Sequence, residues 1–167
     1  YKVFSRHGFG IAWISDRFSA LPHDMLIGAP ATGWEFGTRD TGSYATLSDV
    51  VDSFEWLGGE VSSETSRRGK IEAAGRAIHA YETHLTNAAI NGTGNLPGLR
   101  DMAHVNILAG ADNTAREGLV SIVVEGIASE EVVEILNTQG IRTHTRKADH
   151  YSGNVLTPLG LTDCIRI

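Results

Sequence analysis

Cys164 is the only cysteine among 167 residues. No internal disulfide framework is therefore open to this chain, and a lone thiol suits a reducing compartment, so cytoplasm is the expected location. Basic blocks are also missing. The formal charge is -6, which argues against a partner presenting a phosphate backbone such as nucleic acid. No apolar run approaches the roughly 20 residues that span a bilayer, so no membrane association is expected. Repeats and low-complexity tracts are absent too. With 41% apolar and 20% charged residues, the composition is that of an ordinary soluble globular protein, large enough for one domain or parts of two. The triplet Asn91-Gly92-Thr93 fits an N-glycosylation pattern, but the pattern is short and common and no secretory segment precedes it, so it reads as chance.

What is present alternates between helix and strand. Residues 9–14, "FGIAWI", read as a short buried strand, with Asp16 placed to cap the turn that follows. Glycine, proline and threonine dominate residues 21–40, an irregular stretch long enough to suggest a functional loop. Ser43 is positioned to cap a helix with Tyr44, Leu47, Val51 and Phe54 on its apolar face, ending at Gly58-Gly59. A longer helix is expected over residues 64–91, with a core stripe through Ile71, Ala74, Ile78, Tyr81, Leu85 and Ala88. "HVNILAG" (104–110) and "GLVSIVVEG" (118–126) read as strands. Ser129 then caps an acidic first turn, Val132, Val133 and Leu136 form an apolar face, and Gly140 stops the helix. "IRTHT" and the terminal "CIRI" are further strands. The order is that of a small α/β layer, and both chain ends read as truncated.

Several arrangements fail on geometry. His79 and His84 are five residues apart, which places them about 140° apart around a helix, unlike the i, i+4 spacing of a zinc pair. One is expected to pack and the other to be exposed. His144, Asp149 and His150 lie nearer to one another, but no thiolate pair or HExxH frames them, so no metal is expected. "GFG" lacks the third glycine and the following helix of a dinucleotide loop. No Gly-x-Ser-x-Gly elbow supports a serine hydrolase.

The opening segment "YKVFSRHGFGIAW" resembles the loop of class V aminotransferases and cysteine desulfurases in which a His-Lys pair precedes an aromatic, a turn and a Gly-x-Gly leading into a strand. In that family the lysine binds pyridoxal 5'-phosphate (PLP) covalently, and Lys2 takes its place. "WEFGT" (34–38) resembles the segment whose Gly-Thr turn, here Gly37 and Thr38, holds the cofactor phosphate across a dimer interface. "IHAYETHL" (78–85) is similar to the helix leading into the family's small domain. Residues 118–145 resemble that domain's strand, helix and strand. "CIRI" resembles the strand whose arginine, here Arg166, receives the substrate carboxylate.

The resemblance implies an α/β fold: the end of a PLP fold type I large domain (1–60), followed by a small C-terminal α/β domain with its leading long helix (61–167). It implies a cytoplasmic homodimer acting on an amino acid. Lys2 is then the catalytic group, an amine that exchanges its bond to the cofactor and afterwards moves protons at the substrate Cα. Thr38 donates to a phosphate, and Arg166 offers a planar fork to a carboxylate.

Departures narrow the activity. Tyr1 replaces the histidine that precedes the family lysine and touches the phosphate, so that contact is either made by the Tyr1 phenol or lost. No cysteine occurs in the loop "RKADHYSGNVLTPLG" (146–160), where persulfide-forming relatives need a thiolate. Cys164 is expected to pack as a small hydrophobe. Transamination, β-elimination or epimerisation is therefore expected, with His150 and Tyr151 at the pocket mouth. The alternative is a non-catalytic relative of the same fold with a binding or assembly role.

Overall fold

Asp40 decides where the first long helix begins. Its Oδ1 accepts from the Ser43 N–H at 3.2 Å and its Oδ2 from the Ser43 hydroxyl at 2.7 Å. The aspartate is thus the N-cap of α2 (Thr41–Val61), and the expected cap Ser43 is buried inside the first turn. A carboxylate is the stronger acceptor for an unpaired helix N–H, so it wins over the hydroxyl three residues on. In the computed structural model, residues 4–5, 10–30, 33–34 and 40–167 are described, and the chain divides into two compact units, Tyr1–Gly75 and Arg76–Ile167.

Within the first unit α2 runs past Gly58 and Gly59, where a stop was expected. A Cβ on Gly58 would lie 1.8 Å from the Lys70 carbonyl oxygen. The glycine therefore admits the backbone of α3 (Arg67–Asn91) against α2 instead of ending the helix. Arg67 adds ion pairs from α3 to Asp52 and, through Nε at 3.0 Å, to Glu55.

Residues 10–14 form no strand, a correction to the reading of "FGIAWI". Ile11 is 68% and Trp13 87% exposed. A strand requires a hydrogen-bonded neighbour, and none of the described residues of this unit supplies one. The short helix α1 (Asp16–Ser19) is capped by Ser15, whose Oγ accepts from the Phe18 N–H at 3.2 Å, while Asp16 takes the first-turn position. His23 ties down the irregular stretch that follows. Its Nδ1 lies 2.7 Å from the Leu21 carbonyl, its Nε2 lies 3.1 Å from that of Gly33, and its ring stacks 4.0 Å from Trp34.

The second unit is built on an antiparallel sheet of β1 (Val105–Ile107), β2 (Ser121–Val124), β3 (His144–Lys147) and β4 (Asp163–Arg166), in the order β1-β2-β4-β3. The helix α4 (Ser129–Thr138) connects β2 to β3 while β4 pairs between them, a split β-α-β unit. The mixed helix and strand composition expected from the sequence is present, with β1 and β2 shorter than expected, β3 displaced from 141–145 to 144–147 and β4 from 164–167 to 163–166. Register aligns Ile107, Ile122, Ile165 and Thr145 in one row across the sheet. Ile107, Ile122 and Ile165 join Ile90 of α3 and Val120 in the core, with Val132 and Val133 of α4 against them. Each such isoleucine contributes about 1.5–3 kcal/mol by leaving water.

Ser129 is not the cap of α4 either; Ala128 occupies that position. Ser129 instead gives both its hydroxyl and its backbone N–H to Asp163 of β4. A carboxylate from a distant strand thereby serves the helix N-terminus. Gly140, at φ 77°, ends the helix as expected, with the Ile141 N–H donating back to the Leu136 carbonyl at 2.9 Å. Between β1 and β2, Arg116 binds the loop backbone: Nη2 donates to the carbonyls of Leu108 (3.0 Å) and Gly110 (2.8 Å), and Nη1 to that of Leu119 (3.2 Å). Ala109, between two of those carbonyls, sits at φ 64°, a left-handed conformation costing a non-glycine residue about 1–2 kcal/mol. Among the described residues no helix is long and apolar enough to cross a membrane.

Candidate functional site

Side chains alternate across the sheet, so the face opposite the isoleucine row carries a different set. Register places Ser121, Arg166 and His144 side by side on β2, β4 and β3, and Cys164 beside Arg146 on that same face. Arg166 and Arg146 are half-buried, His144 is exposed and Cys164 is buried. Neither arginine forms an ion pair among the described residues. Two guanidinium groups on one face of adjacent strands, neither tied down by an ion pair, form a donor set suited to a carboxylate ligand.

Burial, then the nearby Asp163 charge, pushes the Cys164 thiol up; Arg146, Arg166 and the Ser121 hydroxyl oppose this more weakly. A thiol held protonated is a poor nucleophile. Cys164 thus packs as the sequence suggested.

The loop after β3 is organised by Asp149. Its Oδ1 accepts from the N–H groups of Tyr151 (2.9 Å) and Ser152 (3.0 Å), and its carbonyl accepts from the Gly153 N–H at 2.7 Å. Those hydrogen bonds, first from Ser152 and then Tyr151, hold the carboxyl below its ordinary range, with smaller help from the charges of His150 and Arg146. The aspartate shapes the turn into α5 (Gly153–Leu156), which is anchored by the buried Leu156. His150 and Tyr151 sit on this turn with ring centroids 4.1 Å apart, and Tyr151 is 74% exposed.

Of the residues expected in the site, Arg166 lies on the cationic sheet face and His150 and Tyr151 on the adjoining loop. Tyr1, Lys2, Gly37 and Thr38 lie outside the described residues. Arg146 and His144 join Arg166 only through strand register. Their sequence signal was the alternation Thr143-His144-Thr145-Arg146, which puts the two basic side chains on one face. His79 and His84 are both exposed, contrary to the expectation that one packs; His79 Nδ1 lies 3.2 Å from Glu117 Oε2. The polar face of α3 is solvated there, so neither ring is needed in the core. Among the described residues no group of three or more His, Cys, Asp or Glu is placed to hold a metal ion.

No protein-family model matches this chain, and no curated protein sequence matches it.

Proposed function

We propose that the chain supplies the C-terminal half of a PLP-dependent, fold type I homodimeric enzyme acting on an amino acid. Lys2 is the cofactor lysine, Tyr1, Gly37 and Thr38 contact the phosphate, and Arg166 receives the substrate α-carboxylate. The observation carrying this reading is the face shared by Arg166, Arg146 and His144, where neither arginine is held in an ion pair among the described residues and Arg146 acts on Asp149 only through its charge. A purely structural strand arginine would be expected to form such a pair.

When bound, the cofactor's pyridine ring takes up the electrons left on Cα after proton loss. The chain's residues do the rest. Arg166 fixes the carboxylate in a bidentate fork, Arg146 adds positive potential beside it, and the Lys2 amine moves the Cα proton. The raised Cys164 thiol and the thiol-free segment 146–160 favour transamination, elimination or epimerisation over sulfur transfer through an enzyme persulfide.

Borohydride reduction of the protein with PLP, followed by peptide mass spectrometry, tests the proposal. A pyridoxyl adduct on Lys2 that disappears in Lys2→Ala supports it. An unmodified Lys2 in the folded protein overturns the catalytic reading in favour of a binding or assembly role.

A further inference from the structure

A second candidate site lies elsewhere in the Arg76–Ile167 unit, in a cleft of about 530 Å³ between α3 and the loop of residues 111–116. That volume is within the range of small-molecule sites. Its floor is apolar, made by Ile90 and Ala111, and its walls are polar.

The walls hold unused hydrogen-bonding capacity. Thr83, Asn87 and Asn91 follow one another along a single face of α3, and their side chains make no hydrogen bond among the described residues. Across the cleft Asn113 uses only its Oδ1, which accepts from the Ala115 N–H at 3.0 Å, leaving the amide NH₂ to donate. These groups present donors and acceptors from both sides, as hydroxyl groups require.

Charge distinguishes the cleft from the rest of the molecule. The chain has a net charge of -6, yet the lining contains two arginines, Arg100 and Arg116, against one aspartate, Asp112. Arg116 is bound by three backbone carbonyls and by no carboxylate, so its charge remains uncompensated and its position rigid. Arg100 contacts Asp112 at 2.6 Å, but Asp112 is 90% exposed, and such a pair exchanges readily for a better-placed carboxylate. Glu117, which follows Arg116 in the chain but does not line the cleft, lies 3.2 Å from His79 Nδ1.

We infer that this cleft is a binding site for a small polyhydroxylated organic anion of sugar-acid size. The carboxylate sits against Arg100 under the potential of Arg116, and the hydroxyls are read by Thr83, Asn87, Asn91 and Asn113. The site is independent of the cofactor reading.

Titration of the 167-residue chain with gluconate, followed by the side-chain amide signals of Asn87, Asn91 and Asn113 in ¹H–¹⁵N spectra, tests this. The expected result is saturable binding, with glucose and acetate each weaker by about tenfold or more, and a further loss of about tenfold in Asn87→Leu at an unchanged melting temperature. Should Asn87→Leu fail to fold, Thr83→Val is read in the same way. No saturable response to gluconate overturns the inference, as does glucose binding equally well or a variant that leaves gluconate affinity unchanged.

Discussion

In the Arg76–Ile167 unit Ile107, Ile122 and Ile165 are 0–9% exposed, whereas in the Tyr1–Gly75 unit Ile11, Trp13 and Ile27 are 68%, 87% and 106% exposed. All six side chains are large and apolar, and their burial is opposite. The second unit buries large side chains because paired strands align them in one row under α3 and α4. The first unit's described core is small, made of Val50, Ala73 and Ala74, and its helices meet backbone to backbone at Gly58. One unit is held by interdigitated side chains and the other by close helix approach.

The largest expected effect tests the first half of that contrast. Ile165→Ala should destabilise the second unit by about 3–4 kcal/mol, because a fully buried isoleucine leaves a cavity. Trp13→Ala should change stability by no more than about 0.5 kcal/mol. Urea unfolding reads both, and equal losses would break the contrast. Next, Gly58→Ala should cost about 1–3 kcal/mol by forcing α2 and α3 apart. Its neighbour Gly59 has only the far end of Lys70 near a new Cβ, at 3.9 Å, so Gly59→Ala should stabilise by about 0.5–1 kcal/mol. Amide exchange in α2 distinguishes close approach from a simple helix-propensity effect.

A smaller effect sharpens the account of the second unit. Ser129→Ala should cost about 1 kcal/mol by removing a hydrogen bond to Asp163. The Ser129 hydroxyl is the main reason that the Asp163 carboxyl lies below its ordinary 3.8, and burial works against it. A depressed carboxyl gives stability that is fully present above the unfolded value and is lost as pH falls through the folded one. Thermal melts should therefore show an acid-side slope below about pH 4 that is shallower in Asp163→Asn. Smallest of all is Glu130→Ala. Lys147 is raised mainly by its hydrogen bond to Glu130, at 2.9 Å, yet both side chains are exposed. Its removal should leave the melting temperature within error.

Helix and strand order in residues 99–167 was legible because apolar periodicity and glycine stops agree there with the tertiary structure. Cap identity was not. Ser15, Asp40 and Asp163 fill roles expected of Asp16, Ser43 and Ser129, since neighbouring oxygens compete for the same N–H groups and, for α4, the winner comes from a distant strand. Gly58-Gly59 looked like a stop because sequence alone cannot separate a glycine needed for its backbone angle from one needed for lack of a side chain. Arg166 stood out through family resemblance. Its neighbours Arg146 and His144 did not, because the pairing of β3 with β4 sets them beside it and register is a tertiary property.

Arg116 and Ala109 have a consequence for sequence change. The guanidinium grips the carbonyls on either side of Ala109 and holds it at φ 64°. A lysine has one compact nitrogen where arginine has a fork, so Arg116→Lys gives up most of that grip. Glycine adopts the same backbone angle without a steric penalty. The two positions are therefore epistatic: Ala109→Gly should make substitutions at 116 tolerable, and a lineage that acquired the glycine first would be free to lose the arginine.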